Sequence, residues 1–507
     1  MSHVARSALI IAFFVVIEKL LGFLRQVLTA RQFGLSSELD VFNAANNLPD
    51  FLFALISGGA LAVAFIPVLS EYLNKRGRPQ MWSLFSRILN LVFLLTAGLS
   101  ILVFIFAKPL VSSRLGIAPG FNPDQQALVV DLMRLNLIAT LIFSLAGLVI
   151  AGLQANQHFL LPALAKSMYD LGALIGVIIL APKVGYTIGP ITLPAFGLGV
   201  YGLVYGIILG AFLFLVIQIP GLFYYHFRWT PSINLRDPGV EQVGTVFIPR
   251  IGTTFFILIV LVIIPDNIAS GLAVGSVTAL VFGWLFMQVP ETLIGTAIAT
   301  AMLPTISEQI NRDDPNAFQR SVNHGLRVVL ALAIPSAALL AIVIQPVVSI
   351  LNLDPSGTEM VVWTTRAFLV GLAGHAMLEI MARSFYAQQD AITPLWAAGL
   401  MMVTFTVLAL ILSRVLGVVG IALANAVAFS SEAILLLIFL NKRYPGVART
   451  GRTLPRLIFG TVMSSLVVLT LMKFPLPSLP LAILSLMVGV IVILPFIWPE
   501  IKMLIKL

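Results

Sequence analysis

Apolar runs of roughly 20 residues or more recur along the chain from Ala8 to Trp498, each long enough to cross a hydrocarbon core about 30 Å thick. A water-soluble domain is about 25% charged and about 45–50% apolar. Here 59% of 507 residues are hydrophobic and 10% charged, too few polar groups to cover a water-facing surface. In lipid, backbone polar groups must be satisfied within a helix or a closed barrel. The runs are continuous and do not alternate with period two, which excludes barrel strands. The sequence therefore predicts an all-α polytopic membrane protein of about 14 transmembrane helices.

The spans are expected near 8–33, 40–70, 82–112, 126–153, 160–181, 197–224, 244–265, 270–305, 318–351, 357–387, 394–414, 417–441, 454–473 and 479–499. Short breaks carry turn residues, such as Gly116, Pro119, Gly120 and Pro123, Pro182 to Pro194, Pro231 to Pro238, Asp354 to Gly357, and Pro475 to Pro480. Glu18 and Lys19 interrupt the first run, which continues past Arg25, so a retained span and not a cleaved signal peptide is expected. One set of loops holds Lys75, Arg76, Arg78, Arg228, Arg236, Arg312, Arg320, Lys442, Arg443, Arg449, Arg452 and Arg456, with Lys502 and Lys506 at the end. Alternate loops hold little more than Arg31, Arg114, Lys183, Arg414 and Lys473. That bias places both termini in the cytoplasm and accounts for most of the net charge of +9, so no nucleic acid partner is expected.

Enzyme chemistry finds no foothold. Cysteine is absent, which removes disulfides, thiolate metal sites and a Cys nucleophile and leaves the redox compartment open. There is no HExxH, no phosphate-binding Walker loop and no nucleophile elbow, and the five His residues lack metal-ligand spacing. No enzyme activity, cofactor or metal is predicted, and ATP-driven transport would need a motor from a partner.

An internal repeat is visible. Pro49-Asp50 followed by Ile66-Pro67-Val68-Leu69-Ser70-Glu71 resembles Pro290-Glu291 followed by Leu303-Pro304-Thr305-Ile306-Ser307-Glu308. Leu153-Gln154-Ala155-Asn156-Gln157 before Pro162 resembles Tyr386-Ala387-Gln388-Gln389-Asp390 before Pro394. An offset of six helices preserves orientation, so parallel repeats about an axis along the membrane normal are expected, with a central cavity. The expected domains are a six-helix lobe at 1–230, a second at 231–445, and two further helices at 446–507.

Polar residues at bilayer depth are costly and mark candidate sites. The first helix carries Glu18, Lys19 and Arg25. Glu18 and Arg25, seven apart, share a face and form either a structural pair or, with Lys19, a cationic lining for an anionic substrate. Asn43, Asn47 and Asp50 form a stripe on the second helix, ahead of the small run Ser57, Gly58, Gly59 and Ala60. Trp284, Gln288 and Glu291 repeat that spacing on the eighth helix, followed by Thr292, Thr296 and Thr300. Pro49 and Pro290 are expected to bend these helices. Both stripes read as interhelical hydrogen-bonding or as lining of a transport site. His375, Glu379 and Arg383 suggest an intrahelical ladder or a proton-coupling element, Lys166 and Asp170 a simple pair, and Asp131 with Arg134 an interfacial position.

Leu20-Leu21-Gly22-Phe23-Leu24-Arg25, Phe33-Gly34, Asp40, Asn47-Leu48-Pro49-Asp50 and Ala64-Phe65-Ile66-Pro67-Val68-Leu69-Ser70-Glu71-Tyr72 resemble the opening of the MurJ (MviN) lipid II flippases. Pro290 with Leu303-Pro304, and Ser384-Phe385-Tyr386-Ala387-Gln388-Gln389-Asp390 with Thr393-Pro394, resemble that family's eighth helix and its junction of helices 10 and 11. The resemblance covers essentially the whole chain. It implies the multidrug/oligosaccharidyl-lipid/polysaccharide exporter fold and alternating-access flipping of undecaprenyl-pyrophosphate-linked disaccharide-pentapeptide to the outer leaflet, among membrane lipid and cell-wall synthesis proteins. It further implies that Lys19 stands at a cavity Arg of the family and that Arg25 and Asp40 match family positions. A family Arg falls at Phe53, and a family Arg and Glu fall at about Leu285 and Gln288, so Glu291 is the candidate replacement carboxylate. No carboxylate is expected in the seventh or eleventh helix like those that bind Na⁺ in some members.

The leading expectation is a lipid II flippase. The alternatives are a same-fold flippase or exporter for another polyprenyl-linked glycan or an organic cation, and a non-transporting membrane scaffold. A membrane glycosyltransferase would require a large polar outer loop that the sequence lacks.

Overall fold

The computed structural model describes residues 3–56, 59–474 and 478–504. Ser57, Gly58, Pro475 and Lys506 of the sequence expectations lie outside them. By internal contacts the chain divides into Met1–Leu258 and Ile259–Leu507.

The first unit contains α1 (His3–Phe33), α2 (Ser37–Ile56), α3 (Gly59–Arg76), α4 (Arg78–Ser112), α5 (Pro123–Ala155) and α6 (Leu160–Ile175). A five-residue π turn, Gly176–Leu180, and a minimal hairpin of β1 (Thr187–Ile188) and β2 (Ile191–Thr192) lead to α7 (Val200–Val216), α8 (Ile219–Tyr224) and α9 (Pro238–Leu258). The strands are antiparallel, with Thr187 opposite Thr192, and they are a small departure from the all-α expectation. Helix starts follow local chemistry. Asn122 caps α5 by accepting from Gln125 N at 2.8 Å, and the Gln125 side chain accepts in return from Asn122 N at 2.9 Å, a reciprocal cap ahead of Pro123. The packed centre joins α3, α4, α5 and α9 through Phe65, Trp82, Phe85, Leu148, Leu153 and Val243.

The second unit begins with a π turn at Ile259–Ile263 and α10 (Ile264–Ala269), then α11 (Ser276–Glu291), a π turn at Thr292–Thr296 and α12 (Ala297–Asn311). It continues with α13 (Pro315–Val348), α14 (Pro355–Val370), α15 (Leu372–Ala387), α16 (Ile392–Leu416), α17 (Val418–Arg443), α18 (Thr453–Leu471) and α19 (Ser478–Leu504). The last two helices pack on α13 through Leu339, Val343, Val468 and Ala482. Glu500, 1% exposed, ties them down: it accepts from Arg456 Nη2 at 2.5 Å, Thr453 Oγ1 at 2.7 Å and Arg327 Nη2 at 3.3 Å.

Among the described residues ten helices are long and apolar enough to cross a membrane, or eleven if α14 and α15 count as one bent span. The full expected number is not reached by this measure. In α2 the reason is visible: Glu38, Asp40, Asn43, Asn46, Asn47 and Asp50 fall within 20 residues. Large apolar side chains such as Ile101, Ile105, Val407 and Ile411 stand exposed along helix faces, an arrangement that suits lipid and not water. The expected unbroken helix at 357–387 is instead bent by 42°. The bend falls at Gly371, where an added Cβ would stand 2.6 Å from Ala426 Cα of α17.

The sequence repeat has a backbone counterpart. Gln157 and Gln389 both adopt the left-handed conformation, with φ of 61° and 59°. His158 N donates to Leu153 O at 2.9 Å, and Asp390 N to Phe385 O at 3.0 Å. The α5–α6 and α15–α16 connections thus close by the same helix-terminating turn.

Candidate functional site

In the first unit the polar side chains of α1 converge with α6. α1 and α6 approach over Gly22, whose added Cβ would stand 3.6 Å from Asp170 Oδ1. Gly22 and Arg25 are three apart and so share that face. The Arg25 Nη1 donates to the Tyr169 hydroxyl at 3.2 Å, and its guanidinium stands 5.4 Å from the Tyr169 ring centroid. Its Nε lies 3.6 Å from Asp170 Oδ1, beyond hydrogen-bond reach, and is buried without a hydrogen-bond partner. Arg25 also lies within the electrostatic influence of Asp50.

This arrangement corrects two sequence expectations. Arg25 does not pair with Glu18; its carboxylate partner is Asp170, supplied by α6. Glu18 instead lies 3.5 Å from Lys19. Asp170 is accordingly engaged by Arg25, and among the described residues no Lys166–Asp170 ion pair is formed. Periodicity along one helix identifies which residues share a face, but not which neighbouring helix covers it.

The α2 stripe is divided. Asp40 is buried, 3% exposed, in the first turn of α2, where a carboxylate suits the helix dipole. Asn43 and Asn47 are half-buried and Asp50 is exposed. A polar group outside the stripe, Asn46, joins α2 to α5 by accepting from Asn136 Nδ2 at 2.9 Å. Thr140 Oγ1 donates to Pro49 O at 3.4 Å on the same side. Phe53 meets Phe143 at a tilt with centroids 5.4 Å apart, and Phe143 meets Tyr169 edge-on at 5.3 Å. An aromatic chain therefore runs from α2 to the Arg25 partner, starting at the position where the resemblance places an arginine.

In the second unit Gln288 is exposed and Glu291 half-buried. Glu291 accepts from Thr296 Oγ1 at 3.2 Å and Thr292 Oγ1 at 3.4 Å. The π turn that follows Pro290 brings residue i+5 over residue i, which seats Thr296 on Glu291. The expected distortion at Pro290 thus takes the form of a π turn. Trp284 packs edge-on against Phe368 at 5.6 Å and His375 at 5.4 Å.

The α15 ladder is partial. Arg383 pairs with Glu379 and donates to Thr300 Oγ1 at 3.3 Å. His375 leaves the ladder, meeting Asn425 Oδ1 of α17 at 3.0 Å and stacking on Phe429 at 4.1 Å. Arg134 of the Asp131–Arg134 pair donates to Phe104 O at 3.1 Å and lies over that ring. Sequence reasoning missed Asp266, 5% exposed in α10 just beyond the expected end of the seventh span, so that span does supply a buried carboxylate. It also missed Glu432 of α17, 4% exposed. No group of three or more potential metal ligands occurs among the described residues.

The chain matches the family described as "Lipid II flippase MurJ" over residues 29–496. It is 28% identical over 450 residues to the "Lipid II flippase MurJ" of Burkholderia cenocepacia, covering 86% of this chain and 84% of that protein. It is 27% identical to the "Probable lipid II flippase MurJ" of Vibrio cholerae, covering 85% and 82%. Among solved structures, "Lipid II flippase MurJ, inward closed conformation" matches with a TM-score of 0.79 and 21% identity over 96% of this chain and 98% of that one. An inward-facing multidrug resistance transporter of the MATE family matches at 0.67 with 14% identity, over 87% and 99%.

Proposed function

The chain belongs to the lipid II flippase MurJ family, and from that premise we propose that it moves the undecaprenyl-pyrophosphate-linked disaccharide-pentapeptide from the inner to the outer leaflet by alternating access. It is a multi-pass protein of the bacterial inner membrane, a transporter and not an enzyme, with both termini in the cytoplasm. The functional lobes are 1–230 and 231–445, with 446–507 appended.

The observation that carries this reading is Arg25. A half-buried arginine whose Nε is buried without a hydrogen-bond partner, held by one neutral hydroxyl and one loosely placed carboxylate, suits capture of a diphosphate. Lys19, 70% exposed at its side chain, adds a second cation for the headgroup. Asn43, Asn47, Asp50 and Gln288 offer donors and acceptors to sugar and peptide, Asp40 sets the start of α2, and Glu291 supplies the family's eighth-helix carboxylate one turn away. The polyprenyl tail stays in lipid while the headgroup crosses. Outward movement of an anionic lipid is favoured by an inside-negative potential at about 2.3 kcal/mol per charge per 100 mV, a drive that needs no ATP.

An organic cation exporter would favour net acidic walls, and Asp50 with Glu291 is the observation on that side; the family membership and Arg25 outweigh it. The test is rescue. Bacteria depleted of their own lipid II flippase should grow and keep their shape when this chain is expressed. Lysis despite normal membrane insertion would remove the reading.

A further inference from the structure

The charges around Arg25 hold a further role. Asp170 stands 3.6 Å from the Arg25 Nε, with its side chain 6% exposed. Glu18 and Lys19 also act electrostatically on Asp170, and Asp50 on Arg25. The cluster thus has three carboxylates and two cations on α1, α2 and α6, an acidic excess at the group expected to hold an anion. A diphosphate drawn to Arg25 meets the Asp170 carboxylate at ion-pair distance from the same guanidinium. Two anions at that separation repel unless a cation lies between them.

The hydrogen bonds show how the conflict is resolved. The sole described hydrogen bond of the Arg25 guanidinium goes to the Tyr169 hydroxyl. Asp170 balances charge from beyond hydrogen-bond reach and occupies none of the guanidinium donors. We infer that Asp170 is an exchangeable counter-ion: it neutralises Arg25 in the empty protein, yields it to the diphosphate headgroup, and reclaims it to drive release. Tyr169, adjacent on α6, stays on Nη1 throughout and keeps the guanidinium aimed. Asp170 is therefore a positioning residue that lowers affinity and raises turnover. A structural ion pair would instead affect stability and activity together.

This inference rests on the flippase reading, and the test separates the two. The full chain in lipid nanodiscs is titrated with undecaprenyl diphosphate, and flipping is followed separately in proteoliposomes. Asp170→Asn, which removes the competing charge and keeps the shape, should bind about tenfold tighter than wild type. Its maximal flipping rate should fall several-fold, because release loses its driving partner. Unchanged or weaker binding by Asp170→Asn overturns the counter-ion role. If Asp170→Asn fails to accumulate, Asp170→Glu serves: its longer carboxylate reaches the Arg25 donors directly and should weaken binding several-fold, while wild-type affinity overturns the proposal. Wild-type protein that neither binds the probe nor flips lipid overturns the flippase reading itself.

Discussion

Among single residues, Arg25 and Glu291 carry the proposed transport chemistry. Among the described residues Arg25 makes one hydrogen bond and one loose ion pair, so truncating it removes little packing but takes away the main anion-binding group, leaving only the exposed Lys19. Arg25→Ala should abolish rescue while membrane abundance stays within about twofold of wild type; a collapse of abundance would assign Arg25 to a structural tie with Asp170. Among the described residues Glu291 accepts only from the hydroxyls of Thr292 and Thr296, and a Gln amide oxygen accepts those bonds equally well. Glu291→Gln should therefore fold normally and fail to transport. The double change Gln288→Glu, Glu291→Gln, which moves the carboxylate back by one turn, should restore activity. Normal transport by Glu291→Gln would leave Glu291 with a local hydrogen-bonding role only. Charged residues on α1, α2 and α11 were legible in the sequence because a charge inside an apolar run stands out. Their partners were not, because Asp170 lies 145 positions from Arg25 and only the α1–α6 contact unites them.

At the scale of elements, the α6–α7 contact is the clearest feature that the sequence reading passed over. Gly172 and Gly176 face Gly206 and Gly210: an added Cβ at Gly206 would stand 2.5 Å from Gly176 Cα, and one at Gly210 2.5 Å from Tyr169 O. Small residues four apart let two helices touch backbone to backbone in lipid. This contact also fixes the height at which α6 presents Tyr169 and Asp170 to Arg25. Gly206→Leu should force the helices apart and reduce folded protein at least several-fold by size-exclusion chromatography; wild-type recovery would show that the contact is dispensable. The start of α16 gives a pH test. Burial alone would raise the Asp390 carboxyl. Hydrogen bonds from Thr393 N at 3.0 Å and Thr393 Oγ1 at 2.9 Å, together with the Arg443 guanidinium, hold it below the usual carboxylate range. A depressed value means that its contribution is present at neutral pH and is lost as pH falls below about 4. Asp390→Ala should cost about 1 kcal/mol at pH 7, and its difference from wild type should shrink in acid; a difference independent of pH would contradict the assignment. Most span positions were readable from hydropathy and turn residues, but not the full expected number. The bend at Gly371 was not, because it arises from close approach to a neighbouring helix, and of the π turns only the distortion after Pro290 carried a sequence signal.

Across the chain, the family match places it among the lipid II flippases, and the helix-terminating turns at Gln157 and Gln389 give its internal repeat a backbone counterpart. The repeat could be read because each copy keeps its proline and polar punctuation, whereas the small β1–β2 hairpin had no strand-length pattern to announce it. The basic-loop bias predicts the orientation, and the absence of cysteine makes that prediction testable without a cysteine-free background. A Cys placed at Ser113 should react with an impermeant maleimide on intact cells and one at Lys75 should not; the reverse pattern would invert the topology. Transport of lipid II is read from its outer-leaflet fraction in cells whose only flippase is this chain. A lipid II-cleaving enzyme added to the outer face should consume most of the pool with the wild-type chain and little with Arg25→Ala. A protected pool in cells carrying the properly inserted wild-type chain would contradict the account.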